Sequence, residues 1–256
     1  MKLSATEKAA RKAAFRAMSS AEKLEYIYTY YKWLILLALL TLVLLGSFLH
    51  RELTRKEPVL YLGFANVAVG EDLEAKLSEA YLRFEGLSPK KQEVYLYKDL
   101  YLSDNADVLN HEYAYASRMK LMGAIQAQKL DAVIMNREAY DLLSAAGYLT
   151  ELPALLAEAD PELAREIAPL VTANTVVRED NSIDWQLGEA EEHRVLTEEA
   201  ENGIALEGLP LFRAAGFEEP LYFGLLANSQ RADAAVRYLR YLSRAPQESK
   251  AADQAA

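Results

Sequence analysis

Imidazole is the side chain most often recruited for proton transfer or metal ligation near neutral pH, and this chain of 256 residues holds three, His50, His111 and His193. None stands in a Ser/His/Asp spacing, and neither a P-loop nor a Gly-rich dinucleotide fingerprint accompanies them. The chain is therefore read as non-enzymatic. His111 lies near Asp104, Asp107 and Glu112, a grouping that suggests a metal. Capping of the following helix by Asp104 or Asn105 is the simpler reading, and no metal or other cofactor is expected. His193 sits among Glu189, Glu191, Glu192, Glu198, Glu199 and Glu201. A solvated surface segment is the default for such a run, with a loose cation or basic-peptide site as the functional alternative. The ligand spacing of a regular calcium loop is absent. Cysteine is missing altogether, which excludes disulfides, thiolate metal sites, cysteine nucleophiles and an acylated cysteine. A disulfide-free domain of this size is held by its core alone, a pattern commoner in bacteria than in secreted eukaryotic domains.

The elements around these residues begin with a long apolar run. Between Lys32 and Arg51 no residue carries a formal charge if His50 is neutral, and Trp33 to Leu49 is apolar on all sides. At 1.5 Å per residue this stretch reaches about 27 Å, close to the roughly 30 Å hydrocarbon layer of a bilayer. Tyr26, Tyr28, Tyr30, Tyr31 and Trp33 crowd its entrance, as amphipathic rings do at headgroup level. The sequence predicts a transmembrane helix over residues 33–50. The 32 residues before it and the lack of a small-x-small exit make it an uncleaved anchor, not a signal peptide. Residues 1–32 form a basic helical segment with net charge +4, and Ser19 with Glu22 forms a capping box. Residues 50–57 add +1, which leaves −15 for the rest. The basic excess before the helix places the N-terminus in the cytoplasm and the large domain outside. Such an acidic domain is a poor match for nucleic acid.

After a linker at 51–57, apolar runs of strand length alternate with helical periodicity. Pro58 to Phe64, Val94 to Tyr97 and Ala132 to Met135 read as strands covered on both faces. A helix follows each, the third running from Asn136 to Ala146 and closed by Gly147. This alternation predicts an α/β domain over residues 58–245, a mostly parallel sheet flanked by helices. Residues 153–170 read as helix interrupted at Pro161, and Val171 to Val177 as short β-like pieces before the polar run Arg178 to Asp184. Leu221 to Leu226 reads as a last strand, and Ser229 as the cap of a final helix carrying Ala234, Ala235, Tyr238, Leu239 and Leu242 on one face. Residues 246–256 are a polar tail.

Three stretches carry a resemblance: Glu112 to Met135, Arg137 to Pro153, and Gly203 to Phe212 taken with Pro220 to Leu242. A helix leading through Lys129-Leu130-Asp131 into a strand, a Gly147-Tyr148-Leu149 exit, and a strand ending in Ala227-Asn228-Ser229 resemble type II periplasmic binding proteins, the extracellular solute-binding components of ABC importers. The resemblance covers residues 58–150 and 203–243. It implies non-enzymatic capture or sensing of a small molecule, with an ABC permease as a possible partner beside the lipid bilayer. The chain departs from that pattern in one respect: residues 151–202 are too few for a second lobe of equal size, which is reduced or missing. An interaction subunit that has lost its ligand is the alternative. Ligand groups in open α/β sheets sit beyond the carboxyl ends of the strands, which nominates Asn66, Asp104, Asn105, Asn136 and Arg137. Each is equally a cap or turn residue.

Overall fold

The computed structural model describes residues 17–103, 111–187 and 192–245, and the chain divides between Arg55 and Lys56 into two compact units. In the first, helix α1 runs unbroken from Ser20 to Thr54, about 52 Å at the standard rise. Ser19 opens it through the expected capping box: its backbone N–H donates to Glu22 Oε2 at 2.8 Å, and its Oγ accepts from the Glu22 N–H at 3.4 Å. Within α1, Tyr31–Glu52 has mean hydropathy 2.3 and is long and apolar enough to cross a membrane. Its large side chains, Trp33 to Leu49, are exposed. Helix continues four residues past His50, so most of the stretch expected as linker is helical.

The second unit is built on one six-stranded sheet of order β2-β1-β3-β6-β5-β4. Strands β1 (Glu57–Ala65), β2 (Gln92–Leu100) and β3 (Ala132–Met135) are mutually parallel. Strands β6 (Tyr222–Leu225), β5 (Val195–Ala205) and β4 (Val171–Asp180) join by antiparallel pairing. The expectation of a mostly parallel sheet is thus corrected: β4 and β5 form a hairpin, which needs only a short connection and is antiparallel by construction.

Period-two alternation in β1 and β3 splits the core into two layers. Leu60, Leu62, Phe64, Ala132 and Ile134 face one layer. It also holds Leu73 of α2 (Glu71–Ala75), Tyr81 of α3 (Tyr81–Phe84), Leu156 of α6 (Leu152–Ala159), Leu163 of α7 (Pro161–Ile167), Phe212 of α9 (Pro210–Ala215) and Tyr238 of α10 (Ala232–Arg244). Ala65, Val133 and Met135 face the other, covered by Leu121 of α4 (His111–Gln126) and Leu143 of α5 (Arg137–Ala145). A π-helical turn at Lys76–Ala80 joins α2 to α3. Its irregular carbonyls are claimed by the last helix: Tyr241 Oη donates to Lys76 O at 2.6 Å and Tyr238 Oη to Leu77 O at 2.8 Å. Burial raises the Tyr238 phenol well above its ordinary value, and burial with the nearby Glu85 charge raises Tyr81 to about 12.

Residues 151–202 are distributed between these layers. Helices α6 and α7, broken at Pro161 as expected, pack on the first layer, and the rest forms β4, β5 and the turn helix α8 (Ser182–Gln186). The acidic stretch expected as a solvated segment runs as β-strand from Val195 onward, with Glu198, Glu199 and Glu201 exposed on it. Ser229 does not cap α10, which starts three residues later without a side-chain cap. Its Oγ donates instead to Asp131 Oδ1 at 2.6 Å.

Candidate functional site

The loops at the carboxyl ends of β1 to β3 hold the residues nominated from sequence. Asn66 leaves β1 with φ +57°, a left-handed conformation that asparagine tolerates better than most residues. Both ends of its amide are spent on one backbone unit: Nδ2 donates to Leu102 O and Oδ1 accepts from Leu102 N–H, each at 2.7 Å. Asn136 is the N-cap of α5, its Oδ1 accepting from Ala139 N–H at 3.0 Å. Asp104, Asn105 and Asp107 lie outside the described residues. Nearby, Ser103 Oγ donates to Glu138 Oε1 at 2.6 Å.

Arg137 starts α5 and meets Asp141 one turn on, Nε to Oδ1 at 2.8 Å. Its guanidinium also lies 5.7 Å from the Tyr140 ring centroid and 5.8 Å from that of Tyr222. A hydrogen bond to Tyr222, with the Asp141 charge, raises the Arg137 pKa further despite partial burial. Sequence reasoning nominated Arg137 and Asn136 but missed what lies beneath them. The Tyr140 hydroxyl is 2.9 Å from Asn202 Oδ1 and 3.0 Å from Thr172 O, and its one proton serves one of these at a time. Asn202 Nδ2 donates to Ser144 Oγ at 2.8 Å, and Ser144 Oγ donates to Thr175 O at 2.9 Å. Asn174 Nδ2 reaches Asp141 Oδ1 at 2.8 Å. Tyr140, Ser144 and Asn202 are fully buried. Burial raises the Tyr140 phenol, against hydrogen bonding to Thr172 and the Arg137 charge. Polar residues at the α5 positions facing a polar strand were the available signal, but pairing across about 60 residues of sequence is invisible without the fold.

Space at this edge is a crevice of about 420 Å³ lined by Gly70, Asp72, Leu73, Lys76, Leu211 and Phe217. The other side of Phe217 borders a second hollow of about 290 Å³, with Arg213, Glu218 and Glu219. Both are shallow enough to admit a side chain or a small solute. Asn66, Asn136 and Arg137 line neither.

One grouping that sequence spacing did not predict stands elsewhere, at the β4–β5 turn. Ser182 Oγ lies 2.9 Å from His193 Nε2 and also contacts Asp180 Oδ1, which accepts the Ser182 N–H at 2.9 Å. The hydrogen bonds from Ser182 hold the Asp180 carboxyl below its ordinary value. A catalytic triad places the carboxylate on the histidine, so that the imidazole can take the serine proton. Here the carboxylate is on the serine, and Asp180 and His193 are exposed. The arrangement is that of an Asp turn closing a hairpin. Among the described residues no group of three His, Asp or Glu side chains converges to hold a metal.

Comparison with protein-family models, with curated proteins and with solved structures returns no match to this chain.

Proposed function

We propose that this chain is a single-pass membrane protein whose α/β domain, outside the cytoplasm, works by binding a partner and not by catalysis, as an interaction subunit of an envelope or transporter complex. The observation that carries this reading is at the carboxyl edge. There Asn66 and Asn136 spend their amide oxygens on the fold itself, and residues 151–202 extend the sheet and its helical layer where a ligand-closing lobe would be needed. Anchoring is supported by the apolar Tyr31–Glu52 stretch, and orientation by the basic residues before it.

Solute capture, as in the binding component of an ABC importer, is a second reading, and the 420 Å³ crevice favours it. The chain contains no cysteine, so one introduced at Ala214 on the crevice rim gives a single-site thiol cross-linker. Under the interaction reading, membranes carrying this variant yield one discrete adduct that a cysteine at Ser88 does not form. Absence of the adduct, together with a sugar, amino acid, peptide or ion that raises the melting temperature, would overturn it in favour of solute capture.

A further inference from the structure

The two ends of the sheet differ in what they offer to another strand. At one end, β4 carries Arg178, Glu179 and Asp180 in succession. At the other, β2 ends the strand order, and from Gln92 to Tyr97 it holds one charged residue, Glu93, and no proline. Charge and proline are the usual guards of a strand edge. On this stretch Tyr95 is 44% exposed, its ring 4.9 Å from that of Tyr97 and 5.6 Å from that of Tyr61.

The backbone of β2 states which of its groups face outward. Lys91 O accepts the Glu57 N–H at 2.8 Å, so Lys91 faces β1. Successive residues of a strand turn their backbone groups to opposite sides, so Glu93, Tyr95 and Tyr97 also face β1, while Gln92, Val94, Leu96 and Lys98 face away from it. Two of the outward groups are spent within the chain. Gln92 N–H donates to Ser88 O at 2.9 Å, and Lys98 O accepts from Lys120 Nζ at 3.0 Å. Among the described residues, Gln92 O, the N–H and C=O of Val94 and Leu96, and Lys98 N–H have no partner.

These open groups are complementary to themselves. In an antiparallel pair of β2 strands related by a two-fold axis at Tyr95, Val94 stands opposite Leu96 of the second copy and the two exchange both backbone bonds. Gln92 stands opposite Lys98, where Gln92 O meets the Lys98 N–H, and the two groups left over are the ones already satisfied at home. Other registers fail this test. An axis at Leu96 sets the Val94 N–H against the occupied Lys98 O, and an axis at Val94 sets Leu96 O against the occupied Gln92 N–H. With the axis at Tyr95 the side chains agree as well: Tyr95 meets Tyr95, Lys91 comes to Asp99, and no like charges stand directly opposite.

We infer that β2 is a self-association edge, joining two copies of the chain through an antiparallel β2–β2 pair centred on Tyr95. The partner is thus a second copy, and the two sheets run on as one whose outer strands are both β4. Such an interface is isologous and closes on itself, since each copy spends the one edge it has open. The inference rests on the part of the proposed function that has the domain work by binding protein.

Because the chain contains no cysteine, single thiols report the register in full-length protein in native membranes under mild copper-phenanthroline oxidation. Directly opposite residues in a non-hydrogen-bonded pair lie about 4.5 Å apart at Cα, within disulfide reach. Tyr95→Cys is therefore expected to form a covalent dimer on a non-reducing gel. Glu93→Cys alone is expected to form none, since its two copies stand about 13 Å apart along the strands, whereas Glu93→Cys co-expressed with Tyr97→Cys does. Absence of the Tyr95 dimer overturns the pairing. So does a Glu93→Cys dimer formed as readily as that of Tyr95→Cys, which marks random collision, or failure of the mixed pair, which removes the register. If Ala214→Cys still gives its adduct while Tyr95→Cys gives no dimer, the interaction reading stands and the β2 pairing fails; loss of both removes both.

Discussion

The parallel half of the sheet and the β4–β5 hairpin are held by different forces. Strands β1 and β3 are buried on both faces by aliphatic and aromatic side chains, with Leu60, Leu62, Val133, Ile134 and Met135 fully inaccessible. The hairpin touches β6 at only two registered pairs, Ile204 with Phe223 and Ala205 with Tyr222. The rest of its attachment to α5 is a chain of buried polar groups. Apolar burial is strong and tolerant of direction, whereas a buried hydrogen-bonded network contributes little net stability but fixes one geometry, because a slipped register leaves its members unsatisfied. The parallel half supplies stability, and the network fixes where the hairpin points.

Substitutions can break that comparison in order of expected effect. Phe64→Ala empties a fully buried site in the first layer and should cost about 3–5 kcal/mol, read as a lower urea midpoint for the whole domain. Asn202→Ala removes the amide that donates to Ser144 Oγ and one of the two acceptors open to the Tyr140 hydroxyl, at a cost of about 1–3 kcal/mol. Its signature in hydrogen exchange is faster opening of β4 and β5 with β1 and β3 still protected. Equal loosening of both halves would remove the distinction drawn here. Gly203→Ala tests the same contact from the backbone side, since a Cβ there would overlap the Tyr140 hydroxyl. It should shift the hairpin exchange in the same direction.

Asp160 gives the pH test. Burial raises its carboxyl, but hydrogen bonds from Leu163 N–H and Arg240 outweigh this and leave it below its ordinary value. A depressed carboxyl stabilises the fold above the ordinary carboxylate range and loses that contribution as pH falls through the lower folded value. Asp160→Asn keeps an N-cap for α7 and removes the charge facing Arg240, so it should cost about 1 kcal/mol at neutral pH. The gap from wild type should close as pH drops below about 4. Smallest of all, Arg178→Ala removes exposed pairs with Glu151 and Glu198 and should change stability by roughly 0–1 kcal/mol. A larger loss would mean that the hairpin depends on its surface charges.

The same contrast decided what could be read from the residues alone. Pro58 to Phe64, Ala132 to Met135 and Leu221 to Leu226 announce themselves because two-sided burial demands uninterrupted apolar runs, and the Ser19 and Gly147 signals mark helix ends by local geometry. The hairpin carries no such run. Glu198, Glu199 and Glu201 look like solvated surface, and their strand exists because Asn202, Gly203 and Ile204 lock its far end to groups elsewhere in the chain. Ser229 misleads for a related reason: a buried carboxylate at Asp131 competes for its hydroxyl and wins. Asn66, Asn136 and Arg137 do stand at the carboxyl edge as the crevice rule requires, but their partners within the fold could not be read from position.

Strand β4 ends the sheet, and a free strand edge is where one copy of a protein can splice onto another. Its middle is shielded by its own sequence: Asn174 Oδ1 accepts the N–H of Thr175 at 2.8 Å, so that donor is not offered to an incoming strand. Arg178, Glu179 and Asp180 follow with charge, a familiar deterrent to edge-to-edge growth. Such shielding lets copies of the domain crowd at high local concentration without zipping into fibres.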